Sequence, residues 1–134
     1  MITAWEFMKT DNIIQLQKRI DDINDDKYSE NPSKGLIKIK KLSEDLEFYS
    51  CFDNYIKKIE NLPKNLLIFD CSQNFIKKIE NVPENLEIFD CSDNLIYKIK
   101  KLPDSLQNFY CDNNLIKKID NLPFNLKILR TIKN

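Results

Sequence analysis

The chain has 134 residues, enough for a single domain, and its 21 basic and 21 acidic residues leave no net charge. A balanced charge argues against a dedicated nucleic-acid binder, and 42% hydrophobic content with a single glycine excludes a disordered or linker-like chain. No apolar run reaches membrane-spanning length, and residues 1–20 lack the basic and apolar regions of a secretory signal.

Residues 2–9 read as a first helix, with Thr3 and Glu6 in capping-box spacing and Trp5, Phe7 and Met8 on its apolar side. Thr10 or Asp11 caps a second helix running to about Asn24. In it Ile13, Leu16, Ile20 and Ile23 recur at spacings of three, four and three, which marks one apolar face. Residues 25–34 are polar and turn-rich, with Pro32 inside and Gly35 behind, and read as a connector. Residues 1–35 are therefore expected to form a helical cap and connector. A protein built of stacked coils needs such a lid, because its first coil otherwise exposes its core.

From Leu36 onward the sequence repeats every twenty residues. Leu36, Ile39 and Leu42 stand twenty residues before Ile56, Ile59 and Leu62, so the register opens in mid-unit. Full units begin at Leu46, Leu66, Leu86 and Leu106, and a last one begins at Leu126 and breaks off at Asn134. Residues 36–134 thus hold one partial, four full and one truncated unit. The template is L-x-x-F/Y-x-C-x-x-N-x-I-x-x-I-x-x-L/V-P, filled in one unit by Leu66, Phe69, Cys71, Asn74, Ile76, Ile79, Val82 and Pro83. Ser43 stands where the later units have Pro63, Pro83, Pro103 and Pro123. Fixed self-similarity at this period is the mark of a solenoid. In each unit the stretch equivalent to Leu66–Ser72 reads as a short strand with Phe69 and Cys71 inward. The proline joint favours an extended path and leaves little room for a helix, so the strands are expected to form one parallel sheet.

This template resembles the leucine-rich repeat, consensus L-x-x-L-x-L-x-x-N-x-L, with Phe for one Leu and Cys for another. The short period and the L-P-x-N-L joint are similar to the twenty-residue repeats of bacterial secreted effectors. The richness in Lys, Asn and Ile is similar to repeat proteins of large amoeba-infecting viruses. The resemblance implies an α/β class fold: a right-handed leucine-rich-repeat solenoid with a parallel concave sheet and a helical N-terminal cap. It also implies that Asn54, Asn74, Asn94 and Asn114, with Asn134 after them, point inward as a structural ladder. A buried polar column of that kind is stable only when each amide is hydrogen-bonded.

The four cysteines, Cys51, Cys71, Cys91 and Cys111, fall once per unit. Stacked in neighbouring strands, they share one direction and form a buried, reduced column rather than disulfides, which need converging Cβ vectors. A straight column also cannot wrap a tetrahedral zinc ion, so no metal site is expected. Such thiols fit a reducing compartment, the cytoplasm of the producing cell or of a host.

No catalytic constellation is found. With no histidine the commonest general base is missing, and with one glycine neither phosphate-binding loop can be built. The expected protein is not an enzyme and carries no cofactor. The surface columns are more informative. Phe48, Ile68 and Ile88 head one concave column, Asp70, Asp90 and Tyr110 another, and Phe52 and Asp112 lie in a third with Asp93 beside it. These nine residues are the candidate partner-binding set: an apolar face with a carboxylate stripe, more apolar surface than a monomer usually leaves bare. Lys57, Lys58, Lys77, Lys78, Lys98, Lys117 and Lys118 fall on the convex side. The reading is a protein-interaction module whose partner carries basic and apolar groups. Self-association is the first alternative, a homodimer through the concave face or through an uncapped last unit whose inward residues are Leu126 and Leu129. Nucleic-acid binding through the convex lysines is the third, disfavoured because Tyr97 alone interleaves them.

Overall fold

The computed structural model describes residues 28–30 and 35–134. The strands are β1 (Tyr28–Glu30), β2 (Phe48–Ser50), β3 (Ile68–Asp70), β4 (Lys78–Ile79), β5 (Ile88–Asp90), β6 (Lys98–Ile99), β7 (Asn108–Tyr110) and β8 (Ile128–Arg130). Six of them make one sheet in the order β1-β2-β3-β5-β7-β8. Every pairing is parallel and offset by one repeat: Tyr28 lies against Phe48, Phe48 against Ile68, Phe69 against Phe89, Asp90 against Tyr110 and Tyr110 against Arg130. β4 and β6 form a second, two-stranded parallel sheet on the return path of the coils.

One face of the large sheet packs onto the main core. Tyr49, Phe69, Phe89 and Phe109 stack down it with ring centroids 6.1, 5.5 and 5.5 Å apart. Around them lie Leu46, Leu66, Leu86 and Leu106, the four cysteines, and the return-path isoleucines Ile39, Ile56, Ile59, Ile76, Ile79 and Ile96, all buried. Offset stacking adds about 0.5–1.5 kcal/mol per aromatic pair beyond the area it removes from water. One short strand is marginal alone, so each unit is stabilised chiefly by its neighbours.

The coil closes through three corners, each with a readable cause. Before each strand, the amide of Leu66, Leu86, Leu106 or Leu126 donates to the carbonyl of the proline three residues earlier, at 3.1 to 3.4 Å. Ser43 replaces the proline in the first such turn. Its carbonyl accepts from Leu46 at 3.2 Å, and its hydroxyl accepts the amide of Asp45 at 3.3 Å. After each strand, Asp53, Gln73, Asp93, Asn113 and Lys133 take positive φ. A further left-handed corner falls at Asn61, Asn81 and Asn121. Asn and Asp tolerate that region better than other residues with a Cβ. Lys101 holds the equivalent place in its unit and is not in this conformation.

One expectation is altered and another falls outside the described residues. No helix occurs among the described residues, and residues 1–24, where a helical cap is expected, lie outside them. The polar stretch expected to be a plain connector contributes β1, one repeat ahead of β2. Tyr28 and Ser29 are followed by Pro32 rather than by the Cys-x-x-Asn of the later units, so the template alone misses this strand.

Candidate functional site

The asparagine at each strand end makes several hydrogen bonds to the backbone. The Asn74 amide nitrogen donates to the carbonyls of Cys51, Cys71 and Ser72 at 3.0, 3.0 and 3.1 Å, and its oxygen accepts the amide of Ile56 at 2.8 Å. Asn94 and Asn114 repeat that set one and two units on. Asn54 bonds Leu36, Cys51 and Phe52, and Asn134 bonds Ile116, Cys111 and Thr131. Each amide therefore ties two coils together. Because these amides are spent on backbone, they fix the residues beside them rather than offer a binding group.

The cysteines are free and buried. Burial, and then the neighbouring thiols and Asp70 and Asp90, push Cys71 well above the usual thiol range. Burial, with Asp70 next in weight, does the same for Cys51. Cys111 is pushed up to about 12 by burial and then by Asp112. Thiols held neutral this way are poor nucleophiles and poor metal ligands. Among the described residues no three His, Cys, Asp or Glu side chains are grouped to hold a metal.

The outer face of the large sheet differs from its expected state. Phe48, Ile68, Ile88 and Tyr110 do come together, but as a second buried cluster with no member above 7% exposure. The exposed apolar patch expected here is therefore not found. The carboxylate stripe is likewise not open to solvent, since Asp70 and Asp90 are fully buried. Asp70 accepts from the Ser72 amide and hydroxyl at 2.9 and 2.7 Å and from the Ser50 hydroxyl at 3.3 Å. Asp90 accepts the Ser92 amide at 3.0 Å. Asp112 pairs with Arg130 at 3.3 Å and accepts the Ile132 amide at 2.8 Å, so its charge is met within the chain. Asp93 is half-buried and accepts from Asn113 at 2.8 Å, and Phe52 is half-buried. In the last unit Leu126 is half-buried, while Leu129, expected inward, is partly exposed.

Another row is open. Tyr55, Phe75, Leu95 and Leu115 immediately follow the ladder asparagines and stand 38 to 58% exposed. Their amides are pinned to the preceding coil: Tyr55 to Leu36, Phe75 to Ile56, Leu95 to Ile76 and Leu115 to Ile96, at 2.8 to 2.9 Å. Tyr55 and Phe75 stack with centroids 6.0 Å apart. Asp53, Gln73 and Asp93 flank the row on one side, and an open hollow of about 510 Å³ lies beside its first two members, lined by Gly35, Asp53, Tyr55, Gln73, Phe75 and Asp93 among others. Exposed Lys57, Lys77 and Lys117 lie two residues beyond the row. Sequence reasoning missed this ridge, although its signal was legible: an apolar residue directly after each inward Asn, on the opposite side of the backbone.

No family model and no curated protein matches the chain. Among solved structures it is similar to YopM from Yersinia enterocolitica WA-314, with a TM-score of 0.70 and 24% sequence identity. The match covers 74% of this chain and 22% of that one, so this chain spans about a fifth of that protein's length. The likeness is one of fold: a parallel-strand solenoid of leucine-rich repeats.

Proposed function

We propose that this leucine-rich-repeat chain is a non-enzymatic protein-interaction module, and that its ridge of Tyr55, Phe75, Leu95 and Leu115 is the surface that meets a partner. The observation that carries this reading is a row of large apolar side chains exposed to water on a backbone fixed at every step. A rigid apolar row loses little conformational freedom on binding, which is what favours affinity. With Asp53 and Asp93 on its flank, the row suits a partner carrying apolar side chains and basic groups. The outer sheet face, with Phe48, Phe52, Ile68, Asp70, Ile88, Asp90, Asp93, Tyr110 and Asp112, is the second surface for such a role. It ranks behind the ridge because most of those side chains are buried.

Selection of a displayed peptide library on the intact protein tests the reading. The expected binders are apolar and basic, and they lose about tenfold or more in affinity to the Phe75→Lys, Leu95→Lys double variant. Binders indifferent to that variant would move the site elsewhere. Binders lost instead with Lys77→Glu and Lys78→Glu would place it on the lysine side.

A further inference from the structure

The exposed ridge has a spacing, a width and a charged edge that narrow what can lie on it. Tyr55, Phe75, Leu95 and Leu115 stand one repeat apart on neighbouring parallel coils, so the row is about 14 Å long at about 4.8 Å per coil. An α-helix presents residues i, i+4, i+7 and i+11 on one face over about 16 Å. An extended segment presents alternate residues about 6.7 Å apart, so four of them need about 20 Å. The helix misses the row by about 2 Å from end to end, within the reach of side chains. The extended segment misses it by about 6 Å, more than one coil. Strand addition is disfavoured for a second reason. The four ridge amides already donate to the preceding coil, so a strand laid beside the row finds none of those donors.

The width agrees as well. From Asp53 to Lys57, or from Gln73 to Lys77, is four residues of chain, at most about 14 Å, and a helix with its side chains is about 10–12 Å across. The edge beyond the ridge is basic. Lys57, Lys77 and Lys117 are exposed two residues past Tyr55, Phe75 and Leu115. Among the described residues the lysine ion pairs are Lys100 with Glu80 and Lys118 with Asp120, so these three lysines keep their charge toward water. Beside Leu95 the place is taken by Tyr97, 53% exposed, which interrupts the basic row with an apolar group.

We infer, resting on the reading of this ridge as the partner surface, that its occupant is an amphipathic α-helix of a partner protein. The helix lies along the solenoid axis with its apolar stripe on Tyr55, Phe75, Leu95 and Leu115, and a row of acidic residues runs along the edge that faces Lys57, Lys77 and Lys117. Single-stranded nucleic acid is the competing occupant, because Tyr55, Phe75 and Tyr97 offer rings for bases beside lysines. The leucines of the third and fourth coils offer no such ring, and Asp53 and Asp93 set negative charge along the other edge, where phosphates are repelled.

A fluorescence-anisotropy titration of the full chain with a labelled synthetic peptide of about 15 residues tests this. The peptide carries leucines at spacings of four, three and four, with glutamates along one edge of that stripe and lysines along the other. One control has proline at a central position, and another has the leucines redistributed around the helix. The intact peptide is expected to bind about tenfold or more tightly than either control and to gain helical circular dichroism on binding. If the proline peptide binds as well as the intact one and both are weakened by Phe75→Lys with Leu95→Lys, the helix is overturned and the ridge reading stands. If that double variant leaves the intact peptide's binding unchanged, both are overturned. Failure of the intact peptide to bind, or its displacement by oligothymidylate, overturns the helix, and the library selection then decides the ridge reading by itself. For the acidic edge, Lys57→Glu with Lys117→Glu is expected to weaken the intact peptide about threefold or more and to favour a version whose glutamates are lysines. No change in either peptide overturns that edge. Cysteines protected from a thiol reagent report an intact solenoid in each variant. If the ridge variant unfolds, the peptide comparison on the parent chain decides.

Discussion

Two rows of apolar side chains climb this molecule, and only one of them faces water. Phe48, Ile68, Ile88 and Tyr110 are buried, whereas Tyr55, Phe75, Leu95 and Leu115 are exposed. The rows lie seven residues apart in Phe48/Tyr55, Ile68/Phe75 and Ile88/Leu95, and five in Tyr110/Leu115. Composition does not distinguish them, since each mixes aromatic and aliphatic residues. What separates them is the corner between. The strand ends, one residue turns left-handed, an asparagine points inward, and the next side chain is thrown outward past the edge of the sheet. A residue on a sheet face has a broad flat neighbourhood that another segment can cover. A residue on a corner has none.

The comparison can be broken at several points. The largest effect is expected on the buried row. Ile68→Ala should cost about 2–5 kcal/mol through the lost burial and the cavity left behind. If urea unfolding of that variant matched the parent, the outer face would not be covered in solution. Next comes the corner itself. Asn74→Ala leaves the Ile56 amide without its acceptor and takes one of two donors from each of the Cys51, Cys71 and Ser72 carbonyls, and should cost about 1–3 kcal/mol, while Gln73→Ala beside it should cost little. Equal losses at the two positions would contradict the inward ladder.

The left-handed corner at Asn81 gives a smaller and more diagnostic effect. Asn81→Val should cost about 1–2 kcal/mol, because a β-branched residue is poorly accommodated at positive φ, and Asn81→Gly should be nearly neutral. Thermal melts of the two variants separate backbone strain from lost contacts. The thiols behind the sheet make stability depend on alkaline pH. The Cys111 thiol ionises only near 12 in the folded chain, against an ordinary value of 9.0, so its contribution is intact below pH 9 and is lost as pH rises toward 12. Between pH 9 and 10 the loss should be about 1 kcal/mol for such a thiol, and Cys111→Ala should flatten the slope. The smallest effect belongs to the open row. Leu95→Ala should shift stability by no more than about 0.5 kcal/mol. A larger loss there would mean that the ridge is part of the fold rather than a surface available to a partner.

The twenty-residue period, read as a string, was enough to determine the solenoid, the parallel sheet and the inward Phe69 and Cys71 type positions, and the resemblance to leucine-rich repeats added the asparagine ladder. The reason is physical. In a stacked coil equivalent residues meet equivalent neighbours, so a repeated template specifies the same local structure each time. The same logic yields the return path through Ile56, Ile76 and Ile96 and the turn that each proline opens. Solvent exposure was not determined in this way. Two-residue alternation places Ile68 and Asp70 on the outer face, yet a strand's pattern carries no information on whether another segment lies over that face. Only the tertiary structure decided that Phe48 and Tyr110 are buried, that Asp70 and Asp90 are buried beside serines, and that Asp112 is met by Arg130 on the next strand. It also decided that Tyr28–Glu30 adds a strand where the template is absent, because the edge of β2 offers hydrogen-bonding groups that any adjacent extended segment can pair, whatever its side chains.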